Sequence, residues 1–165
     1  MKLVGKAHRF GDDINTDLII SGKYKFKTLD MEELSKHLLE DLDPDFFKKI
    51  KKGDFIVAGK NFGCGSSREQ APLVIKYAHI SAVLASSFAR IFYRNAINVG
   101  LPLVECDTSK IDEGDNLVVD LEGGKVIDQT KQEEIDITPL PSFMIEILSA
   151  GGLVGYIKEN RGWRI

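Results

Sequence analysis

The chain is poor in the residues that build metal centres. It has two cysteines and three histidines in 165 residues, with no C-x-x-C pair and no H-E-x-x-H segment. Cys64 and Cys106 stand 42 residues apart. The chain therefore cannot supply the three or four thiolates of an iron–sulfur cluster, nor a cysteine-rich zinc site. With so few cysteines, two reduced thiols are expected rather than a disulfide framework. No apolar run reaches 18 residues, which excludes a membrane-spanning helix of ordinary length. The first residues, MKLVGKAHRFGDD, lack the apolar stretch of a secretory signal, so a cytoplasmic location is expected. Positive charge is not in excess: the net charge is −3 and the pI about 5.7, which argues against a general nucleic-acid binder.

What is present is an ordinary globular composition, 43% apolar and 28% charged, in a length suited to a single domain over 1–165. Residues 2–10 read weakly as a strand. Met31, Leu34, Leu38 and Leu42 predict one amphipathic helix, opened by Asp30 with Glu33 as a capping pair. From residue 55 the order becomes regular. The apolar runs FIVA, SAVLAS and LPLVEC, at 55–58, 81–86 and 101–106, alternate with helical stretches near 68–78 and 88–99. That alternation predicts an α/β core with parallel pairing and right-handed crossovers. Residues 114–140 alternate around Gly123-Gly124 and predict a hairpin or small meander. A short helix over 142–150 is expected to stop at Gly151-Gly152, and the tail from Leu153 reads as extended.

The segment with most chemical content is Gly59-Lys-Asn-Phe-Gly-Cys-Gly-Ser-Ser-Arg-Glu-Gln-Ala-Pro72. Its glycines free the backbone to approach a ligand. Ser66 with Glu69, and Ser67 with Gln70, fit the S-x-x-E/Q capping box at a helix start. Free N–H groups there bind anions, and Arg68 adds a fork suited to a carboxylate. A carboxylate or phosphate pocket is one reading; a capped helix with a solvated Arg68 is the other. A P-loop fails because Gly65 stands where the lysine belongs, and the dinucleotide fingerprint and nucleophile elbow fail on spacing.

These residues resemble a known family. GKNFGCGSSREQAP is similar to the signature of the small subunits of 3-isopropylmalate dehydratase, and to the swivelling domain of aconitase. Three further segments agree in order: Asp12-Asp-Ile-Asn-Thr-Asp-Leu-Ile19, Ser87-Phe-Ala-Arg-Ile-Phe-Tyr-Arg-Asn95 and Gly100-Leu-Pro-Leu103. The short length resembles the archaeal type. The resemblance implies a β/β/α layered swivelling domain within the α/β class. It implies a heteromeric hydro-lyase of leucine biosynthesis that converts 2-isopropylmalate to 3-isopropylmalate through isopropylmaleate. The [4Fe–4S] cluster would sit on a separate large subunit, with no cofactor bound by this chain.

By the same resemblance Ser66 would be the base, Ser67 would support its oxyanion, Arg68 would clamp a substrate carboxylate, and Asp17 would orient a loop or an arginine. The loop Tyr24–Thr28 would select the substrate's side chain: Phe26 could pack on an isopropyl group, while Lys25 or Lys27 could pair with a carboxylate. Two alternatives follow. One is a small subunit of homoaconitase or of another 2-alkylmalate hydro-lyase. The other, of a different class, is a stand-alone carboxylate-binding module. Without its partner the chain is expected to be open to self-association.

Overall fold

A computed structural model describes residues 1–160 apart from Phe26 and the side chain of Lys25. Seven strands run in the order β4-β3-β2-β1-β5-β6-β7. β1 (Lys2–Arg9), β2 (Phe55–Ala58), β3 (Ala82–Ala85) and β4 (Leu103–Glu105) are parallel. β5 (Asn116–Asp120), β6 (Lys125–Asp128) and β7 (Glu133–Asp136) form an antiparallel meander on the other side of β1. β1 divides its length between the two halves: residues 7–9 register with β2, and residues 2–6 register with β5.

The sequence dictates this split. Every residue of β2 and β3 is buried, as expected of apolar runs covered on both faces. β5 alternates buried and accessible residues, as a strand wet on one face should. Ile56, Ala58, Val83 and Ala85 face a core completed by α5 (Gln70–Tyr77) and the 31–46 region. Phe55, Val57, Ala82 and Leu84 face the opposite core, closed by α7 (Ser142–Ser149) and by Tyr156 of α8 (Leu153–Asn160). α6 (Arg90–Val99) contributes to both.

Several local expectations need correction. The helix predicted over 31–42 stops early: α3 is Met31–Ser35. Asp30 caps it by accepting from the Glu32 N–H at 3.0 Å. Leu39 then takes a positive φ of 53° and gives its N–H to the Ile19 carbonyl, which buries Leu39 in place of the exposed Leu42. The tail from Leu153 is helical, not extended. Gly155 lets that helix fold back, since a Cβ there would strike the Ala150 carbonyl. The serine capping boxes do not form either. α5 starts at Gln70, after Glu69, with no side-chain cap.

A feature the sequence reading passed over is buried beside β1. His8 Nε2 lies 2.7 Å from Asp54 Oδ2, and the Asp54 carboxylate also accepts from the N–H groups of Lys6 and Lys51. Burial would raise the Asp54 pKa, but those hydrogen bonds outweigh it and hold the carboxyl below its usual range. The result is a polar staple joining the start of β2 to β1.

Candidate active site

Three loops leave the same ends of the parallel strands: 10–15 after β1, 59–69 after β2 and 86–89 after β3. The middle loop is laced to both neighbours. On one side, Asp13 N–H donates to the Lys60 carbonyl, Gly63 N–H to Ile14, and Thr16 N–H to Cys64, at 2.8–2.9 Å. On the other, Phe62 N–H donates to the Ser87 carbonyl at 3.0 Å, and Ala89 N–H returns to Phe62 at 2.9 Å. Lys60 N–H also bonds Asp12 Oδ1 at 2.7 Å. The three sequence segments singled out above therefore form one hydrogen-bonded sheet-end structure.

Gly63 is fixed by this packing. Its φ is +83°, and a Cβ would collide with the Phe92 ring. Gly65 has φ +92° and turns the chain toward Ser66. Thr16 Oγ1 donates to the Ser66 carbonyl at 2.9 Å and pins that turn. Thr16 is buried, so the bond is held within the fold.

A cleft of about 220 Å³ opens here, lined by Thr16, Gly63, Gly65, Ser67, Arg68 and the first half of α6. Ser66 and Ser67 are both exposed; Ser67 lines the cleft, whereas Ser66 stands outside its lining. The Arg68 guanidinium is ion-paired with Asp17 through Nη1 and Oδ1. That nitrogen is fully buried and makes no well-angled hydrogen bond among the described residues. Asp17 occupies that nitrogen, so a bidentate anion must be taken by the rest of the fork. On α6, Asn95 Nδ2 reaches Ser67 Oγ at 3.4 Å. The 28-residue separation from Ser67 keeps this contact out of reach of sequence patterns. The absent cap also matters. Ser66 lies four residues ahead of α5, outside that helix's first turn.

The structure brings Ser67, Arg68 and Asp17 together, with Ser66 beside them. It does not bring Lys27 to them: that side chain is exposed, with Nζ 5.9 Å from the Tyr24 ring. Tyr24 stacks on His37 at 3.7 Å, which ties α2 (Gly22–Lys25) to the segment after α3. Phe26 and the Lys25 side chain lie outside the described residues. Among the described residues no three His, Cys, Asp or Glu side chains converge to hold a metal. The donor set does not fit an iron–sulfur cluster. Cys64 sits in the Gly-rich loop, and Cys106 follows β4, where burial and then Asp107 push its thiol up to about 12.

The comparisons with known proteins meet this geometry at the same residues. The family model described as the aconitase C-terminal domain matches residues 14–109, which hold the loops after β2 and β3 and the end of the loop after β1. The chain is 60% identical to 3-isopropylmalate dehydratase small subunit 2 of Archaeoglobus fulgidus over 160 residues, 97% of each chain. The chain belongs to the family of 3-isopropylmalate dehydratase small subunits. The family member from Halothermothrix orenii is 57% identical over 96% of each chain. The crystal structure of 3-isopropylmalate dehydratase from Methanocaldococcus jannaschii superposes with a TM-score of 0.93 at 50% identity. It covers 98% of this chain and 96% of its own. The family fold expected from the sequence is thus the fold observed. No helix among the described residues is long and apolar enough to cross a membrane.

Proposed function

We propose that this chain is the small subunit of a cytoplasmic 3-isopropylmalate dehydratase of leucine biosynthesis, active only when joined to a cluster-bearing large subunit. The observation that carries the reading is that Ser67 and Arg68 line one cleft beside an exposed Ser66, with Asp17 ion-paired to Arg68. It sits in a chain 60% identical to a named small subunit.

The chemistry assigned to this chain is proton handling and carboxylate binding. Arg68 takes a carboxylate of the 2-alkylmalate on the face of its guanidinium not used by Asp17. Asp17 holds that fork in one orientation. Ser66 accepts the proton from the carbon next to a carboxylate as water leaves to give isopropylmaleate. It returns the proton as water adds to the neighbouring carbon. A serine hydroxyl is a weak base in water, so its alkoxide must be stabilised locally. Here the support is the Arg68 charge, N–H groups of the glycine loop and the Ser67 hydroxyl, strengthened when the large subunit excludes water. The large subunit's [4Fe–4S] cluster supplies Lewis-acid activation of the departing hydroxyl. The substrate's variable arm is left to the 24–28 loop, with Phe26 against an isopropyl group and Lys25 or Lys27 against a carboxylate. A lysine is a point charge and fits a carboxylate arm less well than an arginine, which favours the isopropyl substrate.

The test is reconstitution. The chain is mixed anaerobically with a cluster-loaded large subunit, and the absorbance of the alkene product is followed: isopropylmaleate from 2-isopropylmalate, then homoaconitate from homocitrate. Turnover in the mixture alone, faster with 2-isopropylmalate, is the expected result. Faster turnover of the tricarboxylate moves the substrate to the homoaconitase class. No turnover with any competent partner, with carboxylate binding by the chain alone, overturns the reading in favour of a binding module.

A further inference from the structure

We infer that Asn95 is a positioning residue that orients the Ser67 hydroxyl into the cleft, an inference that rests on the dehydratase reading above. Asn95 lies in the middle of α6 and is half-buried. Its side chain lines the same cleft as Arg68, Gly65 and Thr16. Nδ2 is within 3.4 Å of Ser67 Oγ, in the geometry of a long hydrogen bond whose donor is the amide.

A serine hydroxyl can accept and donate at once. When Oγ accepts from Asn95, the lone pair facing α6 is occupied. The hydroxyl proton is then free to swing away from α6, toward the space between Ser66 and Arg68. Without Asn95, nothing on α6 competes for that lone pair, and the hydroxyl rotor is no longer biased. Asn95 so sets the direction in which Ser67 donates, either to the Ser66 oxyanion or to a substrate carboxylate held by Arg68. Its attachment is rigid. α6 is anchored by Phe92, which packs edge-on against Phe62 of the glycine loop with centroids 5.4 Å apart.

The test is a double-mutant cycle in the reconstituted complex, with kcat/KM for 2-isopropylmalate as the readout and thermal midpoints confirming folding. Asn95→Ala should lower kcat/KM by about tenfold in the wild-type background, the worth of one hydrogen bond made in a dry site. In the Ser67→Ala background the same change should cost less than about twofold, because its target is gone. Asn95→Asp keeps the shape but replaces the donor with an acceptor, so it should be at least as damaging as Asn95→Ala. A merely structural Asn95 predicts the opposite: a near-normal Asn95→Asp and an Asn95→Ala effect that persists in full without Ser67. Either of those results overturns the inference while leaving the dehydratase reading standing. A wild-type mixture that does not turn over overturns both.

Discussion

The parallel and antiparallel halves of the sheet share β1 but carry different burdens. Each parallel strand ends in a loop that builds or braces the cleft, and the loops are bonded to one another as well as to the strands. Below them, Thr108 Oγ1 bonds the Ala58 carbonyl at 2.7 Å and Arg9 reaches the Thr108 carbonyl, so even the turn after β4 is tied in. The meander has hairpin turns instead, and no residue of β5, β6 or β7 lines the cleft. Chemistry gathers where several parallel strands point their carboxyl ends at one place, because only there do separate loops meet. An antiparallel meander sends successive loops to opposite ends. Here it serves to cover β1.

The contrast can be broken most sharply at Ser66. Ser66→Ala should lower kcat of the reconstituted complex about a thousandfold, with the complex still forming on a sizing column. Near-normal kcat would remove Ser66 as the base. Arg68→Lys keeps the charge and loses the fork. It should cost about 30- to 100-fold in kcat/KM, mostly through KM if Arg68 binds a carboxylate in the ground state.

Paired glycine substitutions sharpen the comparison. Gly63→Ala must displace the Phe92 ring and adopt a left-handed backbone, so it should destabilise by about 3 kcal/mol and disable the site as well. Gly114, before β5, has the same left-handed φ of +84° but open space around it. Gly114→Ala should cost only about 1 kcal/mol and leave turnover unchanged. Denaturant midpoints and assays on the two variants decide the matter.

The last contrast concerns pH, to which Asp54 and Asp128 should respond with opposite signs. Asp54, under the parallel half, has its carboxyl held below the usual range, so its stabilising effect is present above the unfolded value near 3.8. That effect is lost as pH falls through the lower folded value. Asp54→Ala should therefore destabilise by about 3 kcal/mol at pH 7, with the deficit shrinking in acid. Asp128, buried on β6 beside Asp115, has its pKa raised by burial first and by that neighbouring carboxylate second. Its neutral form suits the fold, so this contribution is present below the unfolded value and is lost as pH rises through the higher folded one. Asp128→Asn keeps the acceptor used by the Thr130 and Lys131 N–H groups. It should leave stability at pH 7 equal to or above wild type, as read by thermal melts across pH.

The sequence was most legible where burial is complete. FIVA at 55–58 matches β2 residue for residue, because an apolar run between turn residues has few other uses. The 31–42 prediction failed at Leu39, whose N–H was claimed by Ile19, a residue from a separate turn that no periodicity reveals. The tail failed because Gly151 and Gly152 read as a stop with no helix after it. They do end α7, but Gly155 is a close-approach glycine inside α8. In the site, the family resemblance implied that Asp17 would orient a loop or an arginine, and its partner is Arg68. The uncapped serines and the Asn95 contact were not legible, because each depends on where α5 starts and how α6 is rotated.

The state of Cys106 has a practical consequence for labelling. With its thiol pushed up to about 12, it is essentially never a thiolate at neutral pH, and alkylating reagents should pass it by. That leaves Cys64, two residues before Ser66, as the position a maleimide dye reports. The protein thus carries a built-in attachment point in the glycine loop, between two residues that line its cleft. A fluorophore placed there would register the arrival of a large subunit without any engineered cysteine.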